Sequence, residues 1–434
     1  MKESDARSRA FAHIDAHRSE LVRFLSSYVQ HNSVNPDLDE TGEAFSCQRW
    51  LADEMSASKA FAKVDFWAES DKYANVVANL KGNGGGRSLL LAGHTDTVPI
   101  TAEQVQMWRK DAGPLSGAVV DGKLWGRGAS DMKGGSAAAI MAAIALAKSG
   151  VKLKGDAYLS FVMTEETGNR KFGVDAIVDR GYSADACLVM EPTDLTVTPA
   201  VNGEFYFKLK IKGRSAHIAA RHLSIYPGKP NPGSAPGFNA IEKAVKFIQA
   251  FQDLERELGL HIQHPLMEPG ATTINVSGIK GGGIFSAMAE ECEIVGSMLY
   301  CPIMSESEAK AEFRRAIDRV VQGDFWLREH PPALELPHLL PSKPPINTSA
   351  DHPLCVALQS GLRQQGVTNV DCAVMISTTD GNYFVDRGLD VVTFGPGAIS
   401  MGTHSYDEHI PVEQYITAAK VFASAMIDWC GIES

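Results

Sequence analysis

The sequence predicts an α/β fold: a mostly parallel sheet with helices on both faces, interrupted by a smaller α+β domain. Three observations carry this. Apolar runs of strand length alternate with helical patterns through the first half of the 434-residue chain. Near Gly203 the pattern changes to alternating apolar and polar residues, as in a strand with one wet face. After a Pro-rich stretch, 331–345, the first pattern returns. Strands that are apolar throughout and separated by helices belong to a parallel sheet covered on both sides. The length suits two domains. The expected division is a discontinuous catalytic domain, 1–202 and 328–434, around an inserted domain, 203–327.

The segment "MKESDARSRAFAHIDAHRSELVRFLSSYV" predicts an amphipathic helix and lacks the apolar centre of a signal peptide. Strands are expected at "ANVVANL" (74–80), "SLLLAG" (88–93), "DAYLSFVM" (156–163) and "ADACLVM" (184–190). The Ala-rich helix 134–149 is too short and too polar-flanked to span a bilayer. "KGNGGGRS" (81–88) lacks any phosphate-loop spacing and reads as a turn. In the inserted part, "GEFYFKLKIKGRSAH" opens a strand, and a Pro/Gly-rich loop follows at 226–238. A long helix (239–259) and the strands "ATTINVSGI" and "EECEIVGSMLYCP" complete it. Then come helix 352–365, strands "CAVMIS" (372–377) and "LDVVTFG" (389–395), and a final helix, 412–429. Seven cysteines without C-x-x-C spacing read as reduced core residues of a cytoplasmic protein. A net charge of −11, with no Lys/Arg block, argues against a nucleic-acid partner; no membrane partner is expected either.

Ligands of open α/β sheets collect beyond the carboxyl ends of the strands. There "LLLAG" ends in His94 and Asp96, "YLSFVM" in Glu165 and Glu166, and "ACLVM" in Glu191. The loop "LWGRGASDMKGG" delivers Asp131, and "MGTHSYDEH" delivers His404. Singly, each has an ordinary reading: a core histidine, a helix N-cap, a solvated loop. Jointly they do not, because carboxylates crowded at one sheet edge repel and raise one another's pKa. Divalent cations resolve the conflict, and mixed N/O ligands suit Zn²⁺, with Mn²⁺ or Co²⁺ as alternatives. Five ligands (His94, Asp131, Glu166, Glu191, His404) exceed one open tetrahedral site. If Asp131 bridges, each of two metals, about 3.5–4 Å apart, keeps one imidazole and one terminal carboxylate. Two dications then balance three carboxylates and one hydroxide. Asp96, two residues from His94 on the same side of an extended segment, is expected to hold that imidazole in its tautomer. Glu165, next to a ligand but pointing elsewhere, is the expected general base.

The pieces "GHTDTVP", "GRGASDMKGG", "TEETG", "MEPT", "GRSAH", "GFNAIEKA", "GIKGGG", "FGPG" and "THSYDE", in this order, resemble the co-catalytic zinc metallopeptidase and amidohydrolase family. That family includes acetylornithine deacetylase, succinyl-diaminopimelate desuccinylase, aminoacylase-1 and glutamate carboxypeptidase. The resemblance implies His94 and Glu191 on one metal, Glu166 and His404 on the other, and Asp131 between them. It implies Glu165 as base, His217 as the histidine that binds the reacting carbonyl oxygen, and Asn239 and Gly395 as substrate contacts. It also implies that the inserted domain is a lid or dimerisation domain, in a homodimer or higher homo-oligomer.

Two features depart from the family pattern. Ser286, Ser297 and Leu299 stand where the family has Asn, Asp and Arg, and the Asn and Arg grip a substrate carboxylate. Leucine cannot imitate a bidentate guanidinium. The stretch 221–237 is also longer than usual; Arg214, Arg221 and His222 are candidates for replacement polarity. The expected function is metal-dependent hydrolysis of a C–N amide bond in a small molecule, through a hydroxide held by the two metals. The alternative is a hydrolytic deaminase or catabolic amidohydrolase with an unusual, aromatic substrate. A non-catalytic binding protein should have lost a ligand or the base, and none is lost; a nuclease or phosphatase fits poorly with acidic charge and no phosphate loop.

Overall fold

A computed structural model of the protein describes residues 2–225 and 235–433. By its internal contacts the chain forms two compact units, one of residues 1–200, 346–375 and 379–434, the other of residues 201–345 and 376–378. The return to the first unit falls at Ile346, later than the expected residue 328, because Ala333–Glu335 pairs antiparallel with Gly203–Lys212 as a fourth strand of the inserted sheet.

The first unit is built on a six-stranded sheet in the order Lys63–Ala68, Ala74–Leu80, Ala157–Val162, Leu89–His94, Cys187–Val189, Val391–Thr393. The last four strands run parallel, and Ala74–Leu80 runs against its neighbours. Leu89, Leu91, Leu159 and Leu188 pack on one face against the helices Gly134–Lys148 and Val412–Cys430. Val77 and Val162 pack on the other against Ile177 of the helix Val174–Asp179. The apolar runs thus follow from burial on both sides. The Ala-rich helix sits close to the sheet: a Cβ at Gly135 would meet the Met190 carbonyl at 2.0 Å. The expected N-terminal helix is two helices, Glu3–Ala16 and Arg18–Gln30, broken at His17. The expected strand 372–377 shrinks to Val374–Met375. A short antiparallel ribbon pairs Lys123–Trp125 with Ala118–Val120 and with His409–Pro411.

The second unit is a four-stranded antiparallel sheet in the order Thr273–Gly281, Glu291–Tyr300, Gly203–Lys212, Ala333–Glu335. Alternate residues of Glu291–Tyr300 (Cys292, Ile294, Met298, Tyr300) enter a core with the helices Ala240–His261 and Glu306–Gln322. Phe251 stacks on Phe313 there, ring centres 4.7 Å apart. Ser297 and Leu299 therefore lie on the opposite face of the sheet, half-buried.

Candidate metal centre

Three adjacent parallel strands deliver their ends to one edge. Leu89–His94 is the middle one; Ala157–Val162 and Cys187–Val189 flank it. His94 pairs with Val162, three residues before Glu165, and Met190 donates to the Ala92 carbonyl just before Glu191 begins. Asp131 arrives from the loop before Gly134–Lys148, and His404 from the loop after Val391–Thr393. The five expected ligands thus meet in the first unit. Two groups form, His94–Asp131–Glu191 and Asp131–Glu166–His404, each with its ligand atoms within 4.8 Å of one another.

The two carboxylate oxygens of Asp131 face different imidazoles. Oδ1 lies 3.1 Å from His94 Nε2, and Oδ2 lies 3.3 Å from His404 Nε2. His94 Nε2 is 3.7 Å from Glu191 Oε1, and His404 Nε2 is 3.2 Å from Glu166 Oε2. His94 Nδ1 lies 2.8 Å from the Asp96 main-chain carbonyl and 3.5 Å from its carboxylate. The tautomer-fixing acceptor is thus closer in the backbone of Asp96 than in its side chain, and Nε2 is left as a ligand atom. The buried Asp96 carboxylate has a second task. Oδ2 accepts from Asn35 Nδ2 at 2.7 Å and from Glu166 N at 3.2 Å, and Oδ1 accepts from Glu165 N at 3.4 Å. One carboxylate so ties the end of the His94 strand to the turn bearing both glutamates.

The electrostatics show the strain of assembling these charges. Burial pushes the Glu191 carboxyl well up, and the Asp131 charge adds to it. Burial lifts Glu166 to about 7 against the opposing hydrogen bond from His404. The charge of Glu165 raises both, which places it beside the cluster. Hydrogen bonds to Asp131 and Glu166 raise His404 to about 10. Burial opposes charge on His94, but Asp131, Asp96 and Glu191 outweigh it and push the imidazole up. Burial would raise Asp131, yet His404 and His94 hold it below the usual carboxylate range. Two divalent cations would relieve this excess of negative charge in place of the imidazole protons, and the N/O donor set fits them.

His217 and Asn239 belong to the second unit. His217 lies on an exposed turn and its Nδ1 accepts from Ala219 N at 3.2 Å; the Asn239 side chain caps Ala240–His261 by accepting from Ile241 N at 3.0 Å. Gly395 is in the first unit, where a Cβ would meet the Glu191 carbonyl at 2.5 Å. The candidates for replacement polarity have local partners. Arg214 lies over the Trp326 ring, Arg221 pairs with Glu242, and His222 Nδ1 is 3.1 Å from the Ala219 carbonyl. Residues 226–234 of the long 221–237 stretch lie outside the described residues.

Sequence reasoning missed Asn35, Arg127 and Glu408. Glu408 is buried with Arg127, and its carboxylate accepts from Asp131 N at 3.1 Å. Both residues stand inside the quoted pieces "GRGASDMKGG" and "THSYDE", the one signal that pointed to them. Asn35, in "HNSVNPD", carries no such signal.

An imidazole–carboxylate cluster of this kind, at the edge where an α/β sheet gathers ligands, places the chain among metal-dependent hydrolases. Comparison with known proteins narrows the class: residues 90–428 match peptidase family M20/M25/M40, and the chain belongs to that family. Among curated relatives it is 28% identical over 426 residues to N-formyl-4-amino-5-aminomethyl-2-methylpyrimidine deformylase of Bacillus subtilis (strain 168), with 96% of each chain covered. It is 28% identical over 361 residues to acetylornithine deacetylase of Myxococcus xanthus, covering 82% of this chain and 84% of that one. The fold is shared with the M20 family metallo-carboxypeptidase Sso-CP2 from Sulfolobus solfataricus: TM-score 0.71, 17% identity, 94% of this chain and 99% of that one covered. The protein is a hydrolase of carbon–nitrogen amide bonds.

Proposed function

We propose that the protein removes a formyl-type short acyl group from the amine of a neutral heteroaromatic compound. The observation that carries the hydrolytic reading is Asp131, whose two oxygens each face a different imidazole. His94, Asp131 and Glu191 would hold one cation, and Asp131, Glu166 and His404 the other, with Zn²⁺ favoured by the donor set and Mn²⁺ or Co²⁺ as alternatives. Such cations supply Lewis acidity to the amide carbonyl and lower the pKa of water.

The chain's own residues do the rest. Glu165, beside the cluster and oriented through its backbone by Asp96, takes a proton from the attacking water and returns it to the leaving nitrogen. His217 stabilises the negative charge that develops on the carbonyl oxygen. Asn239 and Gly395 remain the proposed substrate contacts, Asn239 through its amide NH₂, since its oxygen serves the helix. The assembly proposed is a homodimer or higher homo-oligomer in the cytoplasm.

The substrate class rests on two supports. The pyrimidine deformylase of Bacillus subtilis aligns over 96% of both chains. Leu299 and Ser286 also remove the polar grip that an N-acyl amino acid carboxylate would need. The test is a substrate panel on metal-loaded enzyme. N-formyl aminomethyl-pyrimidines should exceed N-acetylornithine and N-succinyl-diaminopimelate by about 100-fold or more in kcat/KM. A preference for the amino-acid substrates refutes the substrate class, and full activity after exhaustive chelation refutes the metal chemistry.

A further inference from the structure

We propose that the buried Arg127–Glu408 pair, together with Gln104, is a positioning clamp that sets the spacing between Asp131 and His404. It rests on the metal-site reading above. Glu408 follows His404 by four residues, and its side chain is 1% exposed. Its carboxylate accepts from Arg127 Nη1 at 2.7 Å, Gly128 N at 3.0 Å, Ser130 N at 3.0 Å and Asp131 N at 3.1 Å. The loop that bears Asp131 is therefore wrapped around an anion supplied by the loop that bears His404.

The grip is returned from the other side. Arg127 Nη2 donates to the Ser405 carbonyl at 2.8 Å, and Gln104 Nε2 donates to the His404 carbonyl at 3.2 Å. Gln104 is itself held in a capping box with Thr101 at the start of Ala102–Met107. The ribbon register supplies the framework: His409 pairs with Trp125, so Gly126 N reaches the Glu408 carbonyl at 2.9 Å.

His404 needs such help. Its side chain is 52% exposed, so packing does not fix the imidazole. Its backbone sits at φ 58°, a left-handed conformation that a non-glycine residue keeps only where its surroundings demand it. Arg127 and Gln104 hold the two carbonyls, of Ser405 and His404, that define this turn. These residues touch neither substrate nor the reacting atoms; they act through the two ligands.

The test reads metal binding rather than turnover. Wild type, Gln104→Ala and Arg127→Lys are stripped and titrated with Co²⁺, following visible absorption and elemental content, with folding checked by circular dichroism. Wild type should bind two ions per chain. Both variants should keep one ion at near-wild-type affinity and bind the second at least about tenfold more weakly, with an altered spectrum. Gln104→Ala is the decisive variant, because it leaves the buried ion pair intact. Two ions bound with unchanged affinities and spectrum in folded Gln104→Ala overturn the clamp. Fewer than two ions in wild type instead overturn the dinuclear reading, so the two failures are distinct.

Discussion

At the scale of single residues, the cluster of His94, Asp131, Glu166, Glu191 and His404 was legible because chemistry and position coincide. His94 and Glu191 each follow directly on an apolar run, and Glu166 follows one after Thr164 and Glu165, so the end of the strand and the start of the polar group are read together. The partners that orient them were not legible. Asn35 reaches Asp96 across 61 residues, and Arg127 reaches Glu408 across 281; no local pattern records such distances. Asp96 was expected to hold His94 through its side chain, whereas its main-chain carbonyl lies closer and the carboxylate mainly gathers amide donors. The clearest residue-level prediction concerns Glu165. Glu165→Gln should lower kcat by about 10²–10⁴ while elemental analysis finds the same metal content as wild type. Near-normal kcat in that variant removes the base from the mechanism.

At the scale of elements, the strands expected at 74–80, 88–93 and 156–163 and the helices expected at 134–149, 239–259, 352–365 and 412–429 lie within two residues of their expected spans, because burial on one or two faces imposes a period, whereas the strands expected at 184–190 and 389–395 shrink to Cys187–Val189 and Val391–Thr393. Glu291–Tyr300 alternates core and non-core residues along its length, and Gly134–Lys148 is buried over most of its circumference. Short elements escaped. Val374–Met375 comes from an apolar run that promised six residues, but residues 376–378 cluster with the second unit instead of extending it. The ribbon strand His409–Pro411 is only three residues long and contains a proline, which hides it from pattern reading. Gly395 shows how an element's packing reaches the site. Its amide donates to Thr193 Oγ1 at 3.1 Å, and its missing Cβ lets the turn lie against the Glu191 carbonyl. Gly395→Ala should displace that backbone, lower stability by about 1–3 kcal/mol and weaken metal retention. Unchanged melting temperature and metal content would show that the turn adapts freely.

At the scale of the whole molecule, the change of periodicity near Gly203 falls within three residues of the start of the second compact unit at Val201. The return point was not legible, since the edge strand Ala333–Glu335 is three residues long and lies in a Pro-rich region that hides it from pattern reading. The inserted unit carries its own dependence on pH. Burial would raise the Asp324 carboxyl, but Lys243 and Lys246, each 2.7 Å away, outweigh it and hold it down to about 2. The same side chain caps Phe325–Glu329 by accepting from Trp326 N and Leu327 N. A depressed carboxylate contributes stability above its unfolded pKa, and this is lost as pH falls through the folded value. About 2 kcal/mol should therefore disappear between roughly pH 4 and pH 2. Acid titration followed by circular dichroism checks this: Lys243→Met should shrink the loss, and an equal loss in that variant would assign it elsewhere.

The chain order of the proposed ligands has a consequence for biosynthesis. His94, Asp131, Glu166 and Glu191 all precede the inserted unit, whereas His404 lies beyond it. A ribosome therefore completes the whole insertion before the fifth proposed ligand emerges. From Glu191 until His404 the nascent polypeptide carries only four of the five proposed ligands, and the last imidazole arrives with the closing helix of the fold.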